Sequence, residues 1–212
     1  MRFSSARRGA AARTVAPIRG GRSYRCLMAE RPLPAPPLNS DSLTLRAWTG
    51  ADVGAVVAAC QDPLIDRFVA SVPAPCDDAG ARSWLASQEP ARKDGFRLEL
   101  AIVSTKSNRL LGSIALSSVE RLHARAMVTY WVLPEARGRG VASDAVQLLA
   151  RWALGDLGLK RLEMFIEPEN VASQRVAERC NFVREGLLRS RWVAKGRRRD
   201  SVVYALLSTQ LQ

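Results

Sequence analysis

Arg137-Gly138-Arg139-Gly140-Val141-Ala142 sets two glycines and two guanidinium groups between a run that reads as a strand and a run that reads as a helix. Upstream, Met127-Val128-Thr129-Tyr130-Trp131-Val132-Leu133 is β-branched, aromatic or apolar throughout. Downstream, Val141, Ala145, Leu148 or Leu149, and Trp152 recur at helical spacing and give one apolar face over residues 141 to 154. The first N–H groups of a helix have no internal partner, and the helix dipole places partial positive charge beside them. A strand that turns through glycine into a helix is therefore an anion site. Gly138 and Gly140 let the backbone approach a phosphate with no Cβ in the way. Arg137 and Arg139 add charge and forked donors. These residues lead us to expect a phosphorylated cofactor.

A second constellation follows. Asn170 stands where a helix beginning at Val171 needs its N-cap, and Ser173 falls in that helix's first turn. The residue types for metal chemistry are scarce. There is one histidine, His123, in a stretch that reads as an inter-strand loop, and the cysteines at 26, 60, 76 and 180 show no C-x-x-C spacing. Neither a zinc site nor a disulfide framework is expected, and the pattern suits a reducing cytoplasm.

The elements that must position these residues follow from periodicity. A first strand is expected at Leu43–Arg46. Helices follow at Ala51–Cys60, from Pro63 through Phe68, and at Asp77–Ser87. Strands are expected at 97–103, 111–119 and 126–133. Beyond the glycine turn come the helix to 154, a strand at 161–166, a helix at 171–180 and a strand at 183–188. A last hairpin, 192–194 with 201–207, turns around Lys195-Gly196. Strands in series followed by β-α-β-α-β predict an α/β fold: one domain with a mixed, mostly antiparallel sheet of six or seven strands and about four helices.

Charge divides the chain. The net charge is +12, and residues 1 to 29 supply seven arginines and no acid, so the remainder carries only +5. Residues 1–40 read as a disordered Arg/Ala/Pro-rich tail and 41–212 as the folded domain. Two other readings of the tail stay open: an organellar transit peptide, or a true start at Met28. The apolar runs fall short of the roughly 18 residues a membrane span needs, so no membrane association is expected.

Four motifs in one order carry a resemblance: Tyr130-Trp131-Val132-Leu133-Pro134; Arg137-Gly138-Arg139-Gly140-Val141-Ala142; Pro168-Glu169-Asn170-Val171-Ala172-Ser173; and Asn181-Phe182-Val183-Arg184-Glu185-Gly186. The set resembles the GNAT superfamily of acetyl-CoA-dependent N-acetyltransferases, most of all the group that acetylates ribosomal-protein N-terminal alanine or serine. The rival, a dinucleotide fold, fits poorly. Pro134-Glu135-Ala136 separate the strand from the first glycine, the turn lies late in the chain, and the preceding strands form hairpins.

The resemblance implies acetyl-CoA as co-substrate, with no metal. Its pyrophosphate would sit on Arg137, Gly138, Arg139, Gly140, Val141 and Ala142, and its pantetheine amides on the strand edge at Trp131, Val132 and Leu133. The sheet would splay there to leave a slot. Asn170 and Ser173 would lie near the thioester, with Ser173 the catalytic residue that hydrogen-bonds the departing sulfur. A strand N–H near Trp131 or Val132 would meet the oxyanion. The acceptor would be a protein N-terminal α-amine or a small-molecule amine, facing residues 63–87.

Three departures from the group's pattern stand out. Met127, Val128 and Thr129 replace Glu, Ile and Gly, which leaves Glu99, Glu120 and Glu163 as substitutes for a base by type alone. Ala177 stands where some relatives carry an acidic tyrosine. Asn181 stands where glycine commonly ends the helix. The basic cluster Arg189, Arg191, Lys195, Arg197, Arg198 and Arg199 is a solvated hairpin, a ribosome or RNA contact, or a site for an acidic acceptor; amine acceptors are cations, which argues against placing these arginines in the acceptor pocket itself. A monomer or a homodimer fits equally. A non-catalytic module that binds acetyl-CoA or docks on a ribosome is the alternative to an enzyme.

Overall fold

The structure, a computed structural model, describes residues 31–34, 37–69, 72–73, 75–194 and 196–210. The readings of residues 1–30 as tail, leader or mis-assigned start, and the expectations at Cys26, Met28 and Lys195, lie outside these residues.

Among the described residues eight strands form one sheet: β1 (Leu38–Asn39), β2 (Leu43–Arg46), β3 (Leu98–Ser104), β4 (Leu110–Glu120), β5 (Arg125–Val132), β6 (Arg161–Ile166), β7 (Val183–Ala194) and β8 (Arg197–Leu207). Their spatial order is β1-β2-β3-β4-β5-β6-β8-β7. Every pairing is antiparallel except β5 with β6, which is parallel. Five α-helices are described: α1 (Val53–Cys60), α2 (Pro63–Phe68), α3 (Asp78–Lys93), α4 (Val141–Leu154) and α5 (Val171–Arg179). None of the described helices is long and apolar enough to cross a membrane.

The α/β class holds, with eight strands and five α-helices among the described residues against the six or seven strands and about four helices expected. The two-residue β1 is too short to show a period. Asp62 separates α1 from α2: its carboxylate accepts from the N–H groups of Leu64 and Ile65 at 3.1 and 2.9 Å, so a new helix starts at Pro63. The expected strands at 183–188 and 192–194 are one bulged strand, β7. Helix α3 runs past Ser87 and through Pro90 to Lys93. Its end is where Leu33 docks: the Leu33 N–H donates to Arg92 O at 2.9 Å, and the Leu33 side chain is wholly buried in the main core. Core packing therefore reaches Leu33, within the stretch expected to be tail.

Alternation along the strands gives the sheet two apolar faces. One packs under α4 and α5, where Ala126, Val128, Leu162 and Met164 meet Ala145, Val146, Leu149 and Ala177. On the other, α1 to α3 cover the β3–β5 half, where Ala101, Val103 and Trp131 meet Ala59 and Ile65. No described helix covers the β6–β8–β7 half of this second face.

Candidate active site

The pairing of β5 with β6 stops early. The register runs Arg125 with Arg161, Ala126 with Leu162 and Met127 with Glu163, and no further. β5 nevertheless stays bonded to β4 as far as Val132. Above Met127 and Glu163 the two parallel strands part, which is the splay expected from the resemblance. The Leu133 N–H donates to Leu111 O at 2.9 Å, toward β4. Backbone groups alternate sides along a strand, so the N–H and C=O groups of Val132 and Tyr130 face the gap. Trp131 faces β4 instead, and its ring packs 6.2 Å from that of Trp48. Of the two expected oxyanion donors, Val132 has the right direction and Trp131 does not.

At the top of β5 the chain makes a 3₁₀ turn, Pro134–Ala136, and enters the glycine turn. Gly138 and Gly140 have φ of +72° and +83°, the left-handed region where a side chain is strained, and a Cβ on Gly138 would meet nothing within 4 Å. Asp144 N–H finds Gly140 O at 3.0 Å. The N–H groups from Gly138 to Ser143, including those of Arg139, Val141 and Ala142, enter no well-formed hydrogen bond with the described residues. Open backbone, unpaired donors and a helix dipole fit a diphosphate.

Arg137 does a different job from the one its position suggests. Its guanidinium grips Asp62, with Nη2 to Oδ1 at 2.6 Å and Nη1 to Oδ2 at 3.2 Å, while its Nε donates to Val132 O at 3.1 Å. That Arg137 ion pair holds the Asp62 carboxyl below its usual range, against an opposing effect of burial. Arg137 ties the cap of α2 to the end of β5 and shapes the turn without offering its fork to a phosphate. Arg139 is exposed and makes no ion pair among the described residues.

On the α4/α5 side of the gap, Asn170 Oδ1 accepts from the Ser173 N–H at 3.1 Å, the N-cap bond that starts α5. The Ser173 hydroxyl lies 2.8 Å from that of Tyr130. Burial pushes the Tyr130 phenol well above its usual pKa, so it remains a proton donor at neutral pH. The sequence reading missed this residue's role. Tyr130 is in the quoted motif, but its contact joins residues 43 positions apart across the sheet.

Comparison with known proteins places this geometry. The Acetyltransferase (GNAT) domain family matches residues 42–183. The chain belongs to the GNAT acetyltransferases. Over 82% of its length it is 28% identical to the uncharacterized N-acetyltransferase p20 of Bacillus licheniformis, covering 97% of that protein. It is 31% identical to the ribosomal-protein-serine acetyltransferase of Escherichia coli over 40% of this chain and 47% of that one. Mycobacterium smegmatis RimJ, solved in complex with a CoA-disulfide, has the same fold: TM-score 0.73 at 21% identity, with 80% of this chain and 83% of that one aligned.

The GNAT departures now have structural outcomes. Asn181 adopts φ +63°, so asparagine serves the left-handed cap. Of the three substitute carboxylates, Glu99 is buried against Arg97 and the Ser113 hydroxyl, two strands from the gap. Glu120 pairs with Arg125 at the β4–β5 turn, Nη2 to Oε1 at 2.9 Å. Glu163 is the register partner of Met127 at the floor of the gap.

Proposed function

We propose that this chain transfers the acetyl group of acetyl-CoA to a primary amine, on a protein N-terminus or a small molecule, by direct attack in the gap between β5 and β6. The observation that carries this reading is the parting of β5 from β6 above Met127 and Glu163. It lies between a turn built for a diphosphate and the Tyr130–Ser173 hydroxyl pair. The CoA-disulfide held by the RimJ neighbour and the serine acetyltransferase activity named for the E. coli relative support it.

Each part has a role. The N–H groups of residues 138–143 hold the pyrophosphate. The gap-facing Val132 N–H and the Tyr130 backbone groups take the pantetheine amides by strand addition, the Val132 C=O already accepting from Arg137 Nε, with the Trp131 and Leu133 side chains fixing that edge against α1 and α2. A neutral amine attacks the thioester carbonyl, and a β5 N–H meets the oxyanion. An α-amine, with pKa near 8, loses its proton at neutral pH more easily than a lysine near 10.4. Ser173, backed by the Tyr130 phenol, hydrogen-bonds the sulfur as the thiolate departs, and Asn170 fixes Ser173 through its cap. The setting we propose is cytoplasmic.

Two measurements on the full chain test the proposal. Acetyl-CoA near 100 times its Kd contributes about 2.7 kcal/mol by linkage, a melting shift on the order of 5 to 10 °C for a chain of this size. Free thiol should then appear when an amine is added. No shift refutes the site. A shift without thiol across peptides, aminoglycosides and polyamines identifies a binding module.

A further inference from the structure

A cavity of about 550 Å³ opens on the half of the second face that no described helix covers, and Met127, Glu163, Phe165, Glu185, Arg191 and Val203 are among its walls. It lies at the floor of the β5–β6 gap, on the side away from Ser173. From the acetyl-transfer reading, on which this inference rests, we infer that this cavity is the acceptor site. We further infer that it selects an α-amine followed one or two residues later by an acidic side chain.

Two charged ends carry the inference. The first is Glu163, at the floor of the gap, with its side chain 13% exposed. Arg161 gives its Nε to Glu163 Oε1 at 2.7 Å and both Nη groups to Glu185, at 2.9 and 2.5 Å. One guanidinium thus serves two carboxylates, and Glu163 Oε2 has no hydrogen bond among the described residues. This end carries surplus negative charge beside the reacting position and suits an ammonium before it loses its proton. The nearby pair Glu120–Arg125 is balanced.

The second end is Arg191, whose guanidinium sits 5.1 Å over the Phe165 ring. It has no carboxylate partner among the described residues. Its aim is built. The β7–β8 register breaks between Leu188 and Trp192, and Ser190 is held at φ +54°. Asp200 Oδ1 accepts the Ser190 N–H at 2.7 Å, and Arg198 Nη1 donates to Ser190 O at 3.0 Å. A bulge of this kind re-aims a neighbouring side chain, and the left-handed Ser190 backbone is held in place by these two bonds. Arg191, although exposed, lies on the cavity wall with its guanidinium over Phe165.

Spacing sets the class of acceptor. Glu163 and Phe165 lie on one face of β6, two residues or about 7 Å apart, so the cationic end stands about that far from the anionic one. An extended peptide advances about 3.3–3.6 Å per residue. An amine at Glu163 therefore brings the side chain of residue 2 or 3 to Arg191. A polyamine would meet Arg191 with like charge, which selects against it.

The test compares kcat/KM for acetylation of two peptides, Ser-Asp-Asp and Ser-Lys-Lys with a common tail, and of spermidine. The acidic peptide should lead both others by about tenfold or more at low salt, the lead narrowing as salt screens Arg191. Arg191→Glu should reverse the order of the peptides, and Arg191→Ala should abolish the preference. Glu163→Gln should lower kcat/KM for both peptides with their ratio kept, and with the acetyl-CoA melting shift intact. Transfer without preference, or a ratio unmoved in Arg191→Glu, overturns the inference and leaves the acetyl-transfer reading standing. Binding of acetyl-CoA with transfer to none of the three overturns both.

Discussion

The hydroxyl of Tyr130 on β5 lies 2.8 Å from that of Ser173 in the first turn of α5, on the helix-covered side of the gap where β5 leaves β6. A half-buried phenol behind a serine can hand hydrogen-bond character to a leaving thiolate. Ser173→Ala should therefore lower kcat by about a hundredfold or more, the scale of one positioned donor, with KM little changed. Tyr130→Phe should lower it less, and the double variant should fall little below Ser173→Ala, because the two act as one unit. Steady-state kinetics on the three variants decide this; an unchanged kcat in Ser173→Ala takes that residue out of the chemistry.

Gly140→Glu should abolish acetyl-CoA binding. The substitution strains a backbone at φ +83° and puts an anion on the helix N-terminus. Gly140→Ala should cost about 1 kcal/mol of stability and retain binding. Calorimetric titration with acetyl-CoA measures both, and wild-type affinity in Gly140→Glu would contradict the assignment of the turn.

Asp62 should make stability depend on acid. Its folded pKa is depressed by Arg137. The stabilisation is therefore present above the unfolded value, near 3.9, and is lost as pH falls through the lower folded value. Asp62→Asn should melt about 3–5 °C below wild type at pH 7, and the difference should shrink below pH 4. No difference at pH 7 would show that the α2 cap, which Asn can also make, is all that Asp62 supplies.

Leu33 should behave as a core residue. Leu33→Ala removes a fully buried side chain and should cost about 2–5 kcal/mol in urea unfolding. Unchanged stability would return residues 31–34 to the tail.

Much of this was legible in local patterns. Apolar periodicity places α4, alternation places β5 and β6, and the glycines flag the turn, because each depends on neighbours in sequence. Asn170 as cap and Asn181 as left-handed terminus are likewise local preferences. What was illegible depends on contacts far apart in the chain. Arg137 reads as a phosphate ligand until Asp62 is beside it. Glu163 is one of three candidates until the register sets it against Met127. Leu33 looks like tail because one leucine between Arg31-Pro32 and Pro34 has no period, and its burial comes from docking on the end of α3. The bulge that turns Arg191 follows from Ser190 meeting Asp200 across a hairpin.

The central claim is that acetyl leaves a cofactor in the β5–β6 gap for an amine. The direct measurement is a time course of thiol released from acetyl-CoA beside the acetylated serine-initiated peptide counted by mass spectrometry. Wild type should yield the two in equal amounts and Gly140→Glu neither. Acetyl-CoA bound by wild type, with no acetylated peptide formed, would contradict the account.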